Sequence, residues 1–86
     1  MYWIEFVKSV KKNLSKLPDE VIRKILDAIA ELADDARPNG CKKLQSNGDY
    51  YRIKVGNYRV IYEINDGELL ILVVEIGHRK EIYKKK

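Results

Sequence analysis

The chain has 86 residues, with 17 Lys and Arg against 13 Asp and Glu, a formal charge of +4, and a single Cys and a single His. That length allows one core and no second, so residues 1–86 are expected to form a single domain. One cysteine excludes an internal disulfide, a lone Cys and a lone His leave no recognisable metal-ligand set, and no apolar run approaches the ~20 residues that cross a bilayer. Residues 1–10 mix Glu5 and Lys8 into a short apolar stretch and lack the pattern of a signal peptide. The expectation is a cytoplasmic protein without metal, cofactor or membrane contact. Its charge excess favours an anionic partner only if the cations gather on one face.

Residues 2–6, aromatic and β-branched, predict a short strand. Ser9 offers an N-cap to a short helix whose Val10, Leu14 and Leu17 form one stripe among Lys11, Lys12, Asn13 and Lys16. Pro18 suits a first helical turn, and Asp19 and Glu20 complement the helix dipole, so a second helix begins there. Its Ile22, Ile25, Ile29 and Leu32 make a wide apolar stripe that ends near Ala36, before Pro38. The two helices predict an antiparallel hairpin.

Residues 37–49 contain Pro38, Gly40 and Gly48 and predict a loop anchored by Leu44, in which Lys42 and Lys43 read as ordinary exposed lysines. From Tyr50 the period becomes two. Residues 50–55, 58–64 and 68–76, divided by Gly56-Asn57 and by Asn65-Asp66-Gly67, predict an antiparallel meander. The tail 80–86 is basic, and frayed ends of this composition are common. The fold class is α+β, with an N-terminal strand and a helical hairpin packed on an antiparallel sheet, in the order β-α-α-β-β-β.

Alternation puts Tyr51, Ile53 and Val55 on one face of the first meander strand and Tyr50, Arg52 and Lys54 on the other. On the next strand Val60, Tyr62 and Ile64 join the core, leaving Arg59, Ile61 and Glu63 beside Arg52 and Lys54. The last strand is apolar on both faces. If its even positions, Leu70 to Ile76, face the helices, Glu75, Gly77 and Arg79 fall on the open face and a fourth cation joins the others. Like charges facing each other across a sheet are destabilising, which is the signal for function. Against it stands neutralisation by Glu63, Glu75 and Glu81 in ordinary surface pairs, each worth roughly 0–1 kcal/mol. Patterning alone leaves both readings open.

A basic face with tyrosines nearby suits single-stranded RNA, because cations hold phosphates and rings stack on bases. Cleavage without metal needs a base for the 2′-hydroxyl, positive charge at the phosphate and a proton for the leaving 5′-oxygen. A lysine crowded by other cations gives up its proton more readily, and Lys54 is the residue so placed. His78 is a candidate acid, although a single histidine is more often a packing or surface residue.

The stretch Tyr51-Arg52-Ile53-Lys54-Val55-Gly56-Asn57-Tyr58-Arg59-Val60-Ile61-Tyr62, with Ile76-Gly77-His78-Arg79-Lys80-Glu81-Ile82-Tyr83, resembles the RelE/ParE toxin superfamily, the RelE branch in particular. The resemblance implies a type II toxin that cuts messenger RNA in the ribosomal decoding site and is neutralised by an acidic antitoxin in a hetero-oligomer. By the same likeness Lys54 is the base, Arg59 stabilises the transition state, Arg79 is acid or phosphate clamp, and Tyr83 orients the cut nucleotide. Arg52, where RelE itself has lysine, keeps the charge but is a poor proton carrier. It joins Lys54, Lys80 and Lys84 as nucleic-acid-binding candidates. Two alternatives stay open on the same fold: a ParE-type gyrase inhibitor, and an RNA-binding relative without turnover.

Overall fold

The computed structural model describes residues 1–44 and 49–78. Its elements are β1 (Trp3–Phe6), α1 (Lys8–Leu14), α2 (Asp19–Leu32), β2 (Lys42–Lys43), β3 (Tyr50–Val55), β4 (Tyr58–Asn65) and β5 (Leu70–His78). All strands belong to one five-stranded sheet in the order β1-β5-β4-β3-β2. The predicted meander is β3-β4-β5. Beside it β1 runs parallel to β5, with Trp3 opposite Leu70 and Phe6 opposite Val73, so the sheet is mixed where an antiparallel one was expected. The two helices form the long crossover that lets β1 run parallel to its neighbour β5 at the sheet edge, while β3, β4 and β5 alternate in direction.

One face of the sheet is covered by the helices. Ile25, Ile29 and Leu32 of α2 and Val10 of α1 are buried with Ile53, Val60, Tyr62, Ile64, Ile71, Val73 and Ile76 in one cluster. Each fully buried aliphatic side chain of this kind contributes about 1.5–3 kcal/mol. Ile22, expected in the stripe, is only half-buried. Among the described residues no helix is long and apolar enough to cross a membrane.

Three local expectations change. Ser9 does not cap α1, because Val7 is still tied to the sheet through its N–H to the Val73 carbonyl, 3.1 Å, and itself occupies the N-cap position. The last strand starts at Leu70, two residues late. The Glu68 N–H bonds the Asn65 side chain at 3.0 Å and Leu69 takes a left-handed φ of 53°, which prolongs the turn. Finally, the even positions of β5 do not all face the helices. Ile61 pairs with Glu75 but Tyr62 pairs with Val73, so Val74 is an extra residue and the register shifts. Before this bulge Ile71 and Val73 are buried; after it Ile76 is. A bulge inserts one residue and so exchanges the faces.

A polar clasp joins four distant segments at one side of the core. The Tyr2 hydroxyl donates to the Asp66 carboxylate, which also accepts from Arg37 Nη2 at 3.1 Å, while Arg37 Nε donates to the Tyr51 hydroxyl at 3.1 Å. The guanidinium also lies 5.1 Å from the centre of the Tyr51 ring, and Tyr51 stacks on Tyr62, whose hydroxyl donates to the Ala36 carbonyl at 2.8 Å. The Tyr2 hydroxyl and Arg37 hold the Asp66 carboxyl below its ordinary value of 3.8. A carboxyl depressed in the folded state stabilises fully above its unfolded value, and that contribution disappears as pH falls through the folded one. Between about pH 6 and about pH 3 the urea midpoint of the parent chain is therefore expected to fall further than that of Asp66→Asn, an outcome read from paired denaturation curves.

Candidate nucleic-acid interface

The turn between β3 and β4 sets the geometry of the site. Val55 pairs with Tyr58 across Gly56-Asn57, and Gly56 has φ +61° while Leu69 is the sole non-glycine described residue with positive φ. A positive φ at the first central residue only is the II′ turn, whose twist matches that of the flanking strands. It locks Lys54 opposite Arg59 and Arg52 opposite Ile61; a slip of one residue would send the cations to the core side. A Cβ at Gly56 would meet nothing within 4 Å, so Gly56→Ala suffers from backbone strain alone. We expect it to lose about 1–2 kcal/mol, and Gly56→Asn less, by chemical denaturation.

Two cross-strand rows occupy the face opposite the helices. One consists of Lys42, Arg52, Ile61 and Glu75, and the other of Lys54, Arg59 and Gly77. Lys42, expected in a loop, is thus brought beside Arg52. Its strand is two residues long and sits in a Pro- and Gly-containing segment, too short for alternation to be recognised. The only available signal was the return of the chain implied by Pro38 and Gly40.

Arg59 differs from its neighbours in burial. Its residue is 6% exposed, against an exposed Lys54 and a half-buried Arg52. Its Nη1 donates to the Tyr58 carbonyl at 3.2 Å, while its buried Nε has no hydrogen-bond partner among the described residues. The position facing it on β5 is Gly77, which adds no side chain. A buried cation without a carboxylate is costly in water-free surroundings. Such a group is suited to an anion that arrives from outside, with donors already in place.

The other sequence candidates divide. Arg79, Lys80, Tyr83 and Lys84 lie outside the described residues. His78 is opposite Tyr58 on β5, and their rings meet edge-on with centroids 5.6 Å apart. Tyr58 packs against the core cluster, so His78 is on the helix side and the sheet separates it from Arg52, Lys54 and Arg59. Among the described residues no group of three or more His, Cys, Asp or Glu side chains could hold a metal ion. A cleft of about 280 Å³ lined by Ala28, Glu31, Pro38, Asn39, Gly40, Ile53 and Lys54 lies between α2 and the sheet, so that Lys54 borders it.

In sequence and fold the chain is similar to known proteins. A family model described as "ParE toxin of type II toxin-antitoxin system, parDE" matches residues 4–83. Toxin RelE3 of Methanocaldococcus jannaschii is 35% identical, over 91% of this chain and 91% of its own length. A chain of the archaeal RelE-RelB complex from Pyrococcus horikoshii OT3 superposes with a TM-score of 0.82 at 31% identity, covering 91% of this chain and 94% of that one. The isolated E. coli RelE toxin gives a TM-score of 0.81 at 26% identity, over 99% of this chain and 94% of its own.

Proposed function

This chain belongs to the RelE branch of the RelE/ParE family of type II toxin-antitoxin toxins, and we propose that it is an endoribonuclease that cuts messenger RNA in the ribosomal decoding site and so stops translation. The observation that carries the reading is Arg59, a buried guanidinium whose Nε has no hydrogen-bond partner among the described residues and which stands directly opposite Lys54 on the sheet face away from the helices. Lys54 takes the proton of a 2′-hydroxyl, the 2′-oxygen bonds to the adjacent phosphorus, and the bond to the 5′-oxygen breaks. Arg59 meets the negative charge that grows on the phosphate, and Arg52 holds the strand. The products are a 2′,3′-cyclic phosphate and a 5′-hydroxyl, once the leaving oxygen has received a proton.

By family likeness Arg79 clamps the phosphate or supplies that proton, Tyr83 orients the nucleotide, and Lys80 and Lys84 contact nucleic acid. A chain of a RelE-RelB complex is among the similar structures, and an acidic antitoxin is the partner proposed here. The neighbouring reading frame is expected to encode it. The reading puts the protein's work in the cytoplasm.

The test is purified toxin on ribosomes programmed with an end-labelled message. Cuts inside the codon of the decoding site, ending in a cyclic phosphate, support the reading. Because the matching family model carries the ParE description, inhibition of gyrase supercoiling is the second reading. Intact messages together with blocked supercoiling would select it.

A further inference from the structure

The cationic face does not stop at β3. Lys42 and Arg52 stand directly opposite each other across β2 and β3, and Lys54 and Arg59 do so across β3 and β4. Two like-charged pairs in adjacent rows are unfavourable for folding, since opposed Cβ atoms are only about 4.5–5.5 Å apart. β2 itself carries an internal contrast. Lys43 points to the other side, opposite Tyr51, and its ammonium lies 3.7 Å from the Asp49 carboxylate. Lys42 has no ion pair among the described residues.

Nor is Lys42 a loose loop side chain. On one side the Cys41 N–H closes a turn onto the Pro38 carbonyl at 3.0 Å, with Gly40 at φ +90°, and on the other the Leu44 N–H bonds the Tyr50 carbonyl at 2.9 Å. Backbone bonds on both flanks hold the lysine in its row. The two rows are two residues apart along β3, or about 6.6–6.8 Å. Adding the sideways step of one strand, about 4.8 Å, puts the two pairs about 8 Å apart, a gap that long lysine and arginine side chains close onto adjacent phosphates of an extended single strand.

We infer that Lys42 and Arg52 together bind the phosphate next to the one held at Lys54 and Arg59, so that single-stranded RNA crosses the sheet diagonally from β4 to β2. This inference rests on the RNA reading above and names a further residue for it. Lys42 is a binding residue that keeps the strand in register with the reacting phosphate.

The experiment is a salt series of binding isotherms, by fluorescence anisotropy, with a labelled single-stranded RNA whose 2′-O-methyl groups prevent cutting. Losing one phosphate contact on a single strand reduces the slope of log affinity against log salt by about 0.7. Lys42→Ala is expected to show that reduction, Lys42→Arg to restore the slope, and Lys43→Ala, which removes the same net charge, to leave it unchanged. Equal effects of Lys42→Ala and Lys43→Ala, or no effect of either, would overturn the inference while wild-type binding leaves the RNA reading standing. Failure of the wild-type chain to bind the RNA would overturn both.

Discussion

Replacing Arg59 by alanine is expected to lower the cleavage rate on programmed ribosomes by about two to three orders of magnitude, the usual loss when one preorganised donor to a developing oxyanion is removed. Stability should not fall with it. Arg59 is 6% exposed and its Nε has no partner among the described residues, so the folded state carries a desolvated cation that water would solvate in the unfolded chain. Arg59→Met, which fills the space without the charge, is expected to melt at or above the parent temperature while remaining inactive. Single-turnover rates and thermal melts of the same samples check both halves. An inactive variant that has also unfolded would point to a structural arginine instead.

Lys54 carries the second large effect. If it removes the 2′-hydroxyl proton, Lys54→Ala should cost about 10²–10⁴ in rate, the range for a positioned general base. Lys54→Arg is the sharper variant. It keeps the charge opposite Arg59 but cannot give up its proton near neutral pH, so it should be nearly as slow as the alanine variant. Full activity of Lys54→Arg would reduce Lys54 to a phosphate contact and move the base elsewhere. Lys54 is exposed and its neighbours on β3 are held by the hairpin, so neither variant should disturb the fold.

Alternation made much of this legible. Arg52, Lys54 and Arg59 share a face because strands have a period of two and because Gly56-Asn57 leaves only one register for the hairpin. The helices were equally readable, since Ile25, Ile29 and Leu32 recur on one stripe. What escaped did so for physical reasons. β5 is apolar on both sides, so nothing in the run from Leu70 to Val74 could reveal which parity was buried or where a bulge would exchange it. Arg37 looked like a loop residue because its partners Asp66, Tyr51 and, through Asp66, Tyr2 come from separate strands and turns. The extra burial of Arg59 was equally invisible, since no pattern of hydrophobicity distinguishes a covered arginine from an exposed one on the same face.

The division of the sheet matters for how the protein works. One face is filled by helices and apolar side chains, so it can supply rigidity without chemistry. The other carries opposed cations at spacings fixed by hydrogen-bonded strands, the preorganisation that the proposed cleavage requires. Stability contributed by the core offsets the cost of burying the Arg59 guanidinium.

The most direct test is an NMR titration of the arginine Nε–H signals with a non-cleavable single-stranded RNA. The Arg59 Nε–H resonance is expected to move downfield and become protected from solvent exchange as a phosphate oxygen fills its open donor position, while those of Arg23 on α2 and of Arg37, which already donates to the Tyr51 hydroxyl, stay in place. An Arg59 signal that is indifferent to RNA, with the shifts gathered on Arg23 or Arg37, would contradict the account.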